Sequence, residues 1–121
     1  MHRCWVLLAL ALAACGDGRA SRGDCARAMA HVITLEDLEH ATGDLELTRE
    51  VGKDYVANQS TEEESWKQLK LRDELGGTPG ESLRRVEECQ AKQTSSEVEC
   101  MLRSTTPTAA HACVRKRDEK R

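Results

Sequence analysis

Phenylalanine is missing from this 121-residue chain, tyrosine occurs once and tryptophan twice. A core built on stacked rings is therefore excluded. Basic residues are not in excess either: 18 Lys and Arg stand against 21 Asp and Glu, which does not suggest nucleic acid, since that calls for a basic face. No C-x-x-C or H-x₃-H pair occurs, although structural zinc sites favour such close spacings. The absence of C-x-x-C-H removes the usual covalent haem attachment. No nucleophile elbow is present, and Gly76, Gly77 and Gly80 lack the Lys-Ser/Thr that follows a phosphate-binding loop. Long hydrophobic runs are also missing. The longest, from Trp5 to Ala14, is half of the roughly 20 residues needed to cross a bilayer.

That short run is informative for what surrounds it. His2 and Arg3 give a basic start, ten uncharged residues follow, and Asp17 and Arg19 close the segment. A basic flank, a short apolar core and small residues at the end describe an export signal. The run ends in Leu12-Ala13-Ala14-Cys15, which resembles the lipobox of bacterial lipoproteins. The resemblance covers the first 15 residues and implies that residues 1–14 are removed, that Cys15 carries a diacylglyceryl group on sulfur, and that the new amino terminus is acylated. A plain secretory signal with an incidental cysteine and a buried core helix are the competing readings. A single fatty chain binds a bilayer only marginally, so stable anchoring takes more than one. The family's three chains supply that. Gly16 in place of Asp points, by the family's sorting rule, to the outer membrane.

Processing would leave 107 residues, about one domain. Arg3 departs with the signal, so 17 basic side chains face 21 acidic ones, a net charge of −4. Leu, Ile and Val number 16 of the 107, about 15%, and below about 20% a chain needs help to fold. Cysteine provides it. Cys4 leaves, Cys15 takes lipid, and Cys25, Cys89, Cys100 and Cys113 remain, an even number. In an oxidising compartment they imply two disulfides, each worth about 2–4 kcal/mol. Three pairings are possible. The reading adopted is Cys89–Cys100 across a turn and Cys25–Cys113 joining the ends.

Start and stop signals give an all-α chain of about four to five short helices. Residues 15–24 read as a lipidated cysteine and flexible tether, 25–114 as the helical domain, and 115–121 as a charged, solvated tail. Asp24 is the expected N-cap of a first helix that Gly43 ends. Cys25, Ala28, Met29, Val32 and Ile33 share one face, until Glu36 interrupts it. Residues 44–60 mix signals, with strand-like Leu45 and Leu47, helix-like Val51 and Tyr55, and Gly52 breaking the pattern; helix or irregular structure is the favoured reading. Thr61/Glu64, Thr78/Glu81 and Thr94/Glu97 have capping-box spacing, and Thr106-Pro107 opens a final helix. Leu83, Val86 and Cys89 share one arc. Val98, Met101 and Leu102 cluster, whereas Cys100 points away from them. The Cys-led first helix with its His-Val, Cys89, the "ECML" at Cys100, "STT" and the closing "AC" at Cys113 resemble small exported four-cysteine helical proteins. That likeness implies fold and export and no activity.

No catalytic, cofactor-binding or metal-binding residue is expected. His31 and His40 lie nine apart, on opposite sides of a helix, and His111 and Cys113 diverge by about 200°. All three histidines read as ordinary, partly exposed side chains. Ser65, Ser82, Ser95 and Ser96 stand at or near helix starts, and Glu62, Glu63 and Glu64 suit a helix N-terminus, with Glu63 four residues before Lys67 as a surface pair. Trp66 with Leu69 forms a small apolar patch that either packs between helices or contacts a partner. The expectation is a non-catalytic lipoprotein of the bacterial cell envelope, facing the periplasm or in the outer membrane. Its partners would be the lipid bilayer, through Cys15, and an envelope protein. The alternative is an inhibitor or immunity-type lipoprotein directed at one envelope enzyme.

Overall fold

A computed structural model describes residues 18–76 and 78–119. The signal segment 1–14, Cys15 and the first part of the tether lie outside the described residues. Six helices are present among those described: α1 (Arg22–Thr42), α2 (Leu45–Ala57), α3 (Glu62–Leu75), α4 (Glu81–Lys92), α5 (Ser95–Leu102) and α6 (Pro107–Glu119). The fold is all-α and carries two disulfides; the count exceeds the expected four to five because the 44–60 segment forms a helix of its own, and α6 runs to Glu119, into the residues expected as a charged, solvated tail.

Helix α1 is the axis of the fold and touches all five others. At 21 residues it is about 31 Å long. Its buried residues include Cys25, Ala26, Ala28, Met29, Ala30, His31, Val32, Ile33 and Leu35, which surround the helix rather than form a stripe. From Cys25 to Leu35 the helix is enclosed on most sides, and its alanines let neighbours approach from several directions. Its N-cap is Ser21, whose hydroxyl accepts from the Asp24 amide at 3.1 Å. Asp24, expected as the cap, instead sits in the first turn, where a carboxylate complements the helix dipole. Gly43 closes α1 with φ 64°, its amide donating to Glu39 O.

The other starts explain the remaining boundaries. Asp44 caps α2 by accepting from Leu47 N. Thr61/Glu64 and Thr94/Glu97 form reciprocal capping boxes on α3 and α5, and the Thr61 amide holds the Glu64 carboxyl below its ordinary range. The third expected box fails. Gly80 occupies the cap of α4 at φ 79° with no side-chain cap bond, and α3 supplies the substitute. The Asp73 carboxylate accepts from Ser82 Oγ at 2.7 Å and from Ser82 N at 3.2 Å. Thr106 Oγ1 accepts from Ala109 N at the head of α6.

The cysteine pairing is Cys25–Cys89 and Cys100–Cys113, correcting the expected Cys89–Cys100 and Cys25–Cys113. Cys25 and Cys89 are both buried on facing turns of α1 and α4, with Cα atoms 5.9 Å apart. The short turn at Gln93 and Thr94 leaves Cys89 directed into the core. Cys100 does point away from Val98, Met101 and Leu102, and the neighbour on that side is α6. The segment expected as a flexible tether is also partly fixed. Gly18 O accepts from Ser95 N, Ala20 N donates to Gln93 O at 3.1 Å, Arg19 bridges to Thr94, and Ala20 is buried.

Candidate binding groove

Trp66 and Leu69, one helical turn apart in α3, part company. Leu69 is 3% exposed and belongs to the core. Trp66 is half-buried and packs against the edge of that core. Together they line an open groove of about 590 Å³ between α3 and α4, whose far wall is Pro79, Gly80 and Leu83. The lining is chiefly apolar, and Leu83, which shares an arc with Val86 and Cys89, remains 40% exposed at the rim. Open apolar grooves in the range of about 300–1,000 Å³ are the usual form of ligand sites.

Two elements position the indole. The capping box fixes the first turn of α3, and Trp66 Nε1 donates to Glu62 Oε2 at 3.3 Å, one turn back. The Arg22 guanidinium, on the first residue of α1, stands 4.9 Å from the ring centroid, a cation–π contact worth about 0.5–1 kcal/mol at an exposed site. Arg22, Lys70, Asp73 and Glu74 supply the charges around the groove. Asp73 is occupied by Ser82. The groove thus offers apolar area and mixed rim charge.

A second opening of about 370 Å³ lies over α1, lined among others by Met29, Val32, Arg85, Lys92, Met101 and His111. At its edge Arg85 Nη1 donates to Glu36 Oε1 at 2.8 Å, and Glu36 Oε2 lies 3.0 Å from His111 Nε2. This link joins α4, α1 and α6. Glu36, which ends the apolar stripe in sequence, thereby becomes the anchor of both outer helices.

His31 is buried, not partly exposed as expected from sequence, whereas His40 and His111 are exposed. Its Nε2 lies 2.7 Å from Ser104 O. A carbonyl can only accept, so the neutral ring carries its proton on Nε2. Burial pushes the imidazole below its ordinary value, and the Ser104 carbonyl offsets part of that. Tyr55 meets the ring edge-on at 6.2 Å. Nearby, Arg27 Nη2 donates to Gln59 Oε1 and Gln59 Nε2 to Leu102 O. These bonds clamp the 58–60 and 102–104 connections onto α1. They satisfy buried polar groups, which is a packing role.

Ser65 and Ser82 are buried, and both hydroxyls are engaged, Ser65 donating to Thr61 O and Ser82 to Asp73. Glu63 and Lys67 pair at 3.5 Å on the surface, as their spacing predicts. Among the described residues, no group of three His, Cys, Asp or Glu is placed to hold a metal ion. No helix among them is long and apolar enough to cross a membrane. Sequence reasoning found Trp66 and missed Arg22, Pro79 and Leu83. Their shared wall depends on the α3–α4 crossing, which no local pattern encodes. No family model, curated protein or solved structure matches this chain.

Proposed function

We propose that the protein is a lipid-anchored lipoprotein of the bacterial cell envelope with a non-catalytic binding or structural role. The observation that carries this reading is Leu12-Ala13-Ala14-Cys15, placed at the end of a short apolar run behind a basic start. Cleavage before Cys15 removes Cys4 and dedicates Cys15 to lipid. The four cysteines that remain are those joined in Cys25–Cys89 and Cys100–Cys113. Disulfides persist in oxidising compartments such as the periplasm, so the sulfur chemistry and the export signal support one another.

The binding role rests on the Trp66 groove. Apolar contact with a few rim charges suits recognition, and Trp is favoured at interface hot spots. The polar clusters elsewhere are spent on holding helices together. Cell fractionation tests the anchor. The wild-type chain is expected in the membrane fraction and the Cys15→Ala variant in the soluble fraction. Unchanged fractionation of the variant would refute lipid anchoring.

A further inference from the structure

Lipid attached at Cys15 has a geometric consequence, because the fold begins almost at once. Only Gly16 and Asp17 separate Cys15 from Gly18, whose carbonyl is bonded to Ser95 N at 2.9 Å. The pairing of Arg19 with Thr94 and of Ala20 with Gln93 fixes the following residues to the α4–α5 turn. Three peptide steps reach at most about 11 Å. The headgroup layer is about 5–8 Å thick on each side of the hydrocarbon. A body tied this closely is held at headgroup level.

The end of the fold held there is also the end that carries Trp66. Arg22 follows the fixed 18–20 segment and lies over the indole, and Gly23 lies against the Glu62 side chain at the head of α3. The groove is lined from Arg22 and Trp66 at this end to Pro79 and Leu83. Indole rings with one apolar body and one polar edge favour the membrane–water boundary. Arg22 and Lys70 on the rim match phosphate and ester oxygens, while Glu62 and Glu74 disfavour a strongly anionic surface.

Resting on the lipid-anchor reading, we propose that the Arg22–Trp66 end of the α3–α4 groove is seated in the headgroup–acyl boundary of the bilayer to which Cys15 is attached. The tether supplies a high local concentration of membrane, so a groove of modest intrinsic affinity is enough. The result is a fixed orientation, with the α1 C-terminal end and the exposed Leu45, Leu71 and Leu75 directed away from the surface.

Trp66 is the single tryptophan after residue 14, so its emission reports the groove without labels. The mature protein purified from membranes would be reconstituted into phosphatidylcholine vesicles, with and without brominated acyl chains. Flotation of the vesicles reads the anchor, and Trp66 emission reads the docking. The expected result is flotation with clear loss of emission to brominated lipid, as for an indole at the membrane–water boundary, and shielding from iodide relative to the soluble Cys15→Ala variant. Flotation with unquenched, iodide-accessible Trp66 would overturn the docking and leave the anchor intact. Shielding from iodide without bromine quenching would put another occupant in the groove and equally overturn it. Failure to float would overturn the anchor and the docking with it.

Discussion

Removing the two disulfides one at a time should give unequal losses whose order follows from loop length. Cys25 and Cys89 are 64 residues apart, and Cys100 and Cys113 are 13 apart. With loops of about 65 and 14 residues, the chain-entropy relation gives about 4.3 kcal/mol for the first and about 3.0 kcal/mol for the second. The loops do not overlap in sequence, so their constraints on the unfolded chain are separate. Their sum of about 7 kcal/mol is comparable to the whole stability of a small domain, about 5–15 kcal/mol. Cys25 and Cys89 are both buried, whereas of the second pair only Cys113 is and Cys100 is partly buried, so the voids left by the first pair widen the gap in the same direction. Urea unfolding followed by circular dichroism would measure both variants. Cys25→Ala/Cys89→Ala is expected to lose more, and removal of both bridges is expected to leave a chain largely unfolded. A larger loss from Cys100→Ala/Cys113→Ala would refute the loop-length reasoning.

Three further perturbations separate packing from propensity. Gly52 lies inside α2, where alanine ordinarily gains about 1 kcal/mol, yet a Cβ there would overlap the Thr105 carbonyl. Gly52→Ala is therefore expected to lose about 1–3 kcal/mol in thermal or urea unfolding, and a gain would show that α2 does not press on the 104–106 connection. Asp73→Ala removes the borrowed cap of α4 and should cost about 0.5–2 kcal/mol, with faster amide exchange at Ser82. Unchanged exchange would remove Asp73 from that role. His31 has its pKa depressed by burial from the ordinary 6.5, so the unfolded chain binds the extra proton first. Its contribution to stability is fully present above about pH 6.5 and is lost as pH falls below that value. A titration of unfolding midpoint against pH should show this loss, reduced in His31→Gln. An equal acid slope in both would contradict the assignment.

Much of the architecture was legible because helix ends are written locally. Thr61/Glu64 and Thr94/Glu97 announced themselves by spacing, and Gly43 stopped α1 where a left-handed residue was needed. Thr78/Glu81 had the same spacing and failed, since Gly80 takes the cap and Asp73, from another helix, does the bonding. Helix over residues 44–60 competed with irregular structure because Gly52 breaks the pattern viewed alone; the segment is helical, and Gly52 fits a close backbone approach to Thr105. Cysteine pairing was misjudged for a related reason. Proximity across a turn favoured Cys89 with Cys100, but the directions in which those side chains point placed Cys89 against α1 and Cys100 against α6. His31 looked like a surface residue because its carbonyl partner, Ser104, is 73 positions away. The groove was half legible. Trp66 stood out by rarity, whereas Arg22 and Leu83 joined it only through the crossing of helices.

Intact mass spectrometry of the protein extracted from membranes, under non-reducing conditions, tests the account most directly. A chain beginning at Cys15, heavier by a diacylglyceryl and one further acyl group and lighter by the four hydrogens of two disulfides, is the expected result. An intact Met1 start without acyl mass, or four free thiols, would contradict it.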